Sequence, residues 1–92
     1  MNKKELITEV AHKSDLPKRY AEKAVNAVFE TIGESLTQGD KVQIVGFGTF
    51  EVRHHDEREG RNPQTQETIK ISASSTPAFK AGKQLKDRVN GR

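Results

Sequence analysis

The stretch 54–67 contains no large apolar side chain, so it cannot run through a hydrophobic core. Apolar alternation frames it on both sides. Val42, Ile44, Phe50 and Val52 come before it, and Ile69 and Ile71 after it. A chain that leaves an alternating pattern and later re-enters it makes an excursion from its body. That excursion reads either as a disordered loop or as a two-stranded β-ribbon arm with Asn62-Pro63 near its tip. An isolated ribbon is only marginally stable in water, so both readings make the segment mobile in the free protein.

The remaining elements follow from spacing. Asn2 with Glu5 three residues on is a capping-box pattern, and Leu6, Ile7, Val10 and Ala11 then fall on one helical face. Ser14-Asp15-Leu16-Pro17 interrupts the pattern. A second helix, roughly 18–38, carries Ala21, Val25, Val28, Phe29, Ile32 and Leu36 as an apolar stripe, and Gly39 suits its end. Beyond Asp40 the apolar period changes from 3.6 to 2, which gives a strand, a tight turn at Gly46-Phe47-Gly48, and a returning strand. Ser72–Pro77 reads as a loop. Residues 80–90 read as a short last helix with Leu85 and Val89 inward and Lys80, Lys83 and Lys86 outward. The fold class is α+β and the organisation a single domain over 1–92. It comprises a helical pair (1–38), a β-sheet (41–76) with its arm at about 53–76, and the C-terminal helix (80–90).

So short a chain has little with which to bury itself. Of 92 residues, 32% are hydrophobic and 32% charged, and chains this small often need disulfides, metals or oligomerisation to be stable. There is no cysteine, which leaves oligomerisation and fits a reducing cytoplasm. No apolar run approaches a membrane span and no leader pattern opens the chain, so a soluble, cytoplasmic protein is expected. The net charge of +3 is unevenly spread. Residues 1–50 are neutral. Residues 51–67 carry Arg53, Arg58 and Arg61 against Glu51, Asp56, Glu57, Glu59 and Glu67. Residues 68–92 carry Lys70, Lys80, Lys83, Lys86, Arg88 and Arg92 against Asp87 alone. A basic end on a neutral body points to a polyanion partner, though a solvated tail has the same composition.

Several segments, in order and without gaps, bear a family likeness. They are Met1-Asn2-Lys3-Lys4-Glu5-Leu6-Ile7, then residues 39–53 from Gly39-Asp40-Lys41 through Gly46-Phe47-Gly48-Thr49-Phe50 to Arg53. Gly60-Arg61-Asn62-Pro63-Gln64-Thr65 and Pro77-Ala78-Phe79-Lys80-Ala81-Gly82-Lys83 complete the series. Over essentially its whole length the chain resembles the HU/integration host factor family of DNA-bending proteins. The resemblance implies an intertwined homodimer with an α-helical body, β-sheets and two protruding β-ribbon arms. It further implies a histone-like role in the nucleoid, in which the arms enter the minor groove of double-stranded DNA and bend it with little sequence specificity. Pro63 would be the intercalating wedge, being rigid, apolar and without an N–H to leave unsatisfied in the base stack. The DNA-binding set carried over is Lys3, Arg53, His55, Arg58, Arg61, Asn62, Pro63, Gln64, Thr65, Lys70, Ser74, Lys80, Lys83 and Lys86. Phe29, Phe47, Phe50 and Phe79 are assigned to the dimer core rather than to base stacking, because so few other apolar residues exist to build one. A heterodimer with a paralogue is a further partner option.

Other readings compete. The helix pair could be a helix-turn-helix, but Glu22 interrupts Lys18, Arg19 and Lys23, and the apolar stripe is broad enough to be mostly buried. His54-His55-Asp56-Glu57 could hold a metal or do acid–base work, yet neighbours on a strand point to opposite faces and do not converge on one ion. No cofactor, metal or catalytic residue is expected, and the chain is read as a non-enzyme. Against the family pattern, His55 and Glu59 replace usually basic residues, Ser75 a common lysine and Ser72 a common proline, and the stretch 51–67 is net negative. Two alternative functions therefore remain: a sequence-specific bending factor like integration host factor, and a protein-interaction module with weakened DNA binding.

Overall fold

In the computed structural model, which describes residues 1–92, local sequence closes the helix ends. The Asn2 Oδ1 accepts the Glu5 N–H at 2.9 Å and starts α1 (Lys3–Ser14). Asp15, at φ 55°, takes the left-handed position that ends it. Pro17 sits just before α2 (Lys18–Thr37), where its carbonyl accepts the Tyr20 and Ala21 N–H groups. At the far end Gly39 has φ 81°, and the Asp40 and Gly39 N–H groups return to the Ser35 and Leu36 carbonyls. That is the Schellman pattern, which requires a left-handed residue where glycine stands.

Five strands follow: β1 (Val42–Ile44), β2 (Gly48–His55), β3 (Arg58–Arg61), β4 (Thr68–Ile71) and β5 (Ser74–Ala81), then α3 (Lys83–Val89). β1, β2 and β5 form an antiparallel sheet in that spatial order, and β3 and β4 form a separate two-stranded ribbon. The β1–β2 turn is closed by the Phe47 N–H on the Ile44 carbonyl at 3.0 Å, with Gly46 at φ 85°.

Two expectations are corrected here. Ser74–Pro77 is not loop but the first half of β5, paired from His55↔Ser74 to Val52↔Pro77. Its sequence hides this, since a projecting ribbon has no buried face to impose apolar alternation. Pro77 is accommodated because β5 is an edge strand. Lys80 is likewise in β5, opposite Thr49, so the last helix begins at Lys83 and not at residue 80. Within α3, Leu85 is half-buried but Val89 is 79% exposed, so only the first of the two turns inward.

Only four of the 92 residues are buried: Ile7, Ala21 and Val25 between the helices, and Gly48 in the sheet. Leu6, Val10 and Ala11 pack around the helical trio. Phe29, Val28, Phe47 and Phe79 remain about half exposed. The radius of gyration is 19.0 Å, against roughly 12 Å for a compact chain of this length. A single copy thus has an elongated shape and an uncovered apolar surface larger than its core.

Gly48 shows how close the sheet packs. A Cβ there would lie 2.6 Å from the Lys80 carbonyl oxygen and 2.6 Å from the Phe79 ring. The carbonyl belongs to the β2–β5 ladder and cannot swing aside. Gly48→Ala should lower stability by about 1–3 kcal/mol or more, as for other overpacked cores, read as a reduced urea midpoint.

Candidate nucleic-acid interface

The excursion seen in the sequence is a two-part β-ribbon arm. Its root is the outer half of the β2–β5 ladder, with Arg53 opposite Thr76 and His55 opposite Ser74. Its distal part is the β3–β4 ribbon, with Arg58↔Ile71, Glu59↔Lys70, Gly60↔Ile69 and Arg61↔Thr68. Between them Asp56, Glu57, Ser72 and Ala73 belong to neither ladder. Paired residues share a face and successive ones alternate, so Arg58, Gly60, Ile69 and Ile71 lie on one face. Glu59, Arg61, Thr68 and Lys70 occupy the other. Arg58 and Arg61 are therefore not brought together, although both lie on the arm.

The tip is built by its own side chains. The Asn62 N–H donates to the Glu67 carbonyl at 2.8 Å, and the Gln66 N–H to the Asn62 carbonyl at 2.7 Å. Asn62 Oδ1 accepts the Gln64 N–H at 2.9 Å, an Asx turn that holds Pro63 between them. Thr65 Oγ1 accepts the Glu67 N–H at 3.3 Å, and Gln66, at φ 63°, donates from Nε2 to the Pro63 carbonyl at 3.3 Å. Pro63, Gln64 and Thr65 are all exposed. Asn62 and Thr65 thus serve first as turn-builders, with one side-chain oxygen each committed locally.

Away from the arm, Lys80, Lys83 and Lys86 are exposed at the end of β5 and on α3, and Lys3 is exposed at the start of α1. Phe79 stacks obliquely between Phe47 and Phe50, with ring centroids 5.3 and 4.8 Å away. Phe29 sits separately on α2.

Two residues were missed by sequence reasoning. Glu57 holds Lys70 at 2.8 Å, and Asp87 holds Lys83 at 2.9 Å. The second was legible as a four-residue helical spacing. The first depends on the register of the distal ribbon, which spacing alone does not supply. A further contact, His54 Nε2 to Asp56 Oδ1 at 3.2 Å, accompanies a contact of His54 Nδ1 with Ser75 Oγ at 3.2 Å. That fastens the arm root to itself, and His55 takes no part.

The profile of the family described as bacterial DNA-binding protein matches residues 1–90. The chain belongs to that family. Among its HU members, DNA-binding protein HU 1 of Bacillus subtilis is 59% identical, with both chains covered in full. DNA-binding protein HU-1 of Halalkalibacterium halodurans is 61% identical over 97% of this chain and 99% of that one. Among solved structures, Anabaena HU in its cocrystal with DNA is 47% identical, covers both chains completely and superposes with a TM-score of 0.88. HU from Thermotoga maritima is 39% identical over 97% and 98% of the two chains, with a TM-score of 0.68. The HU fold, α+β with a projecting ribbon, is thus the fold of this chain. None of its helices is long and apolar enough to cross a membrane.

Proposed function

We propose that this HU-family chain acts as a homodimer that grips duplex DNA in the minor groove with two arms and bends it with little sequence preference. One observation carries the reading. Pro63 stands exposed in the turn that closes a projecting ribbon, in a chain that superposes along its full length on an HU solved with DNA. Pro63 is the wedge at each tip. Arg53, His55, Arg58, Arg61, Asn62, Gln64, Thr65, Lys70 and Ser74 line the arm that enters the groove, and Lys3, Lys80, Lys83 and Lys86 take phosphates beside the body. Unstacking a base step costs a few kcal/mol, offset by the protein surface that bent DNA can reach.

The second copy follows from the exposed apolar surface, with Phe29, Phe47, Phe50 and Phe79 in the joint core. The role is architectural and not catalytic, and the site of action is the nucleoid.

Affinity for a gapped duplex beside its intact counterpart, measured across salt, tests the reading. Tighter binding to the gapped duplex is expected, because its bend is already cheap. Both affinities should fall linearly in log–log form, by about 0.9 per neutralised phosphate. Equal and feeble binding to both at low salt would overturn the reading in favour of a protein-interaction module. Footprints that persist against excess competitor DNA would replace it with a sequence-specific bending factor.

A further inference from the structure

Two of the lysines assigned to phosphate are already occupied. Lys70 Nζ lies 2.8 Å from Glu57 Oε1, and Lys83 Nζ lies 2.9 Å from Asp87 Oδ2, both at the length of a charge-assisted hydrogen bond. No carboxylate pairs with Lys3, Arg53, Arg58, Arg61, Lys80 or Lys86. We propose that Glu57 and Asp87 are built-in competitors of DNA phosphate, which the duplex must displace from Lys70 and Lys83 before those lysines can bind it. The proposal rests on the DNA-binding reading and adds to it a restraint on affinity written into the chain.

Position and chemistry support it. A carboxylate offers a lysine the same kind of anionic oxygen that a phosphate does. Glu57 lies in the gap between the two ladders, where no strand pairing fixes its backbone, and from there its side chain reaches Lys70 on the distal ribbon. Lys70 remains 76% and Lys83 88% exposed, so a duplex can approach both ammonium groups while the carboxylates hold them. Asp87 follows Lys83 by one helical turn, the less favourable order for such a pair. Pairs this exposed add little to folding stability, so their main effect falls on what the lysine can bind next. Once a phosphate takes the lysine, the released carboxylate stays close to the DNA and repels it. The restraint therefore weakens binding most at low salt and flattens the salt dependence.

The test combines Glu57→Gln and Asp87→Asn, each alone and together with Lys70→Gln or Lys83→Gln respectively. Glu67→Gln removes the same charge from the same arm, and Glu67 takes part in none of the ion pairs. Affinity for one intact duplex is read by fluorescence anisotropy from low to physiological salt, with melting curves to verify folding. Glu57→Gln and Asp87→Asn should each bind about two- to fivefold tighter at low salt. Their salt slopes should steepen by up to about 0.9 per phosphate newly neutralised. The gain should vanish once the partner lysine is removed, whereas any gain from Glu67→Gln should not depend on Lys70. Gains that survive removal of the partner lysine, or no gain in a parent that binds DNA, overturn the proposal alone. A parent and variants that all fail to bind at low salt overturn the DNA-binding reading itself.

Discussion

Phe79→Ala should leave the chain largely unfolded at concentrations where the unaltered chain is a folded dimer. Phe79 lies between Phe47 and Phe50, yet 40% of it is exposed in a single copy. The ring is therefore the hub of a cluster that only a second chain can finish covering. Truncating a buried phenylalanine costs about 3–5 kcal/mol, and a domain of this kind is held by only about 5–15 kcal/mol. Each dimer would lose the ring twice. Circular dichroism followed with concentration, beside sedimentation equilibrium, provides the measurement. Loss of cooperative melting together with loss of dimer mass is expected. An unchanged dimer with an unchanged melt would show that the aromatic cluster is not part of the joint core.

Pro63→Ala should act on the DNA and not on the protein fold. The tip is held by Asn62, Gln64, Thr65, Gln66 and Glu67, and Pro63 contributes only its carbonyl, which alanine retains. What is lost is the stiff, apolar ring proposed to separate two base pairs. Kinks made by such wedges span tens of degrees, so the bend measured by energy transfer across a labelled duplex should fall by an amount of that order. Affinity for the intact duplex should fall much less, since the phosphate contacts remain. An unaltered bend angle would contradict the wedge.

These expectations draw on parts of the molecule that differed in how well the sequence revealed them. The helices were legible because Ile7, Ala21 and Val25 have a partner helix, and burial on one side imposes a period. The β1–β2 hairpin was legible for a similar reason, helped by Gly46 at a turn that needs a positive φ. Ser74–Thr76 was not, because a ribbon with both faces in solvent selects for nothing that a period can register. The start of α3 was misplaced because Lys80 suits a helix face as well as an edge strand, and only its pairing with Thr49 decides. Of the site, the residue types came from family likeness, while their partners came from the register. Arg58 and Arg61, three apart, fall on opposite faces of the distal ribbon, and the position of Glu57 against Lys70 depends on the break between the ladders.

The scarcity of interior in one copy also has a consequence for how the protein comes into being. With three apolar residues buried and an aromatic cluster left half open, a newly made chain has little interior of its own to hold it folded. Where folding needs the second chain, folding and pairing are one second-order event, whose rate rises with the square of the chain concentration. Unmated chains persist longest when synthesis is slow, and their exposed phenylalanines make them natural prey for quality-control proteases. At chain concentrations below the dimerisation midpoint, the population of paired chains then responds more steeply than linearly to expression, so a modest drop in synthesis thins it disproportionately.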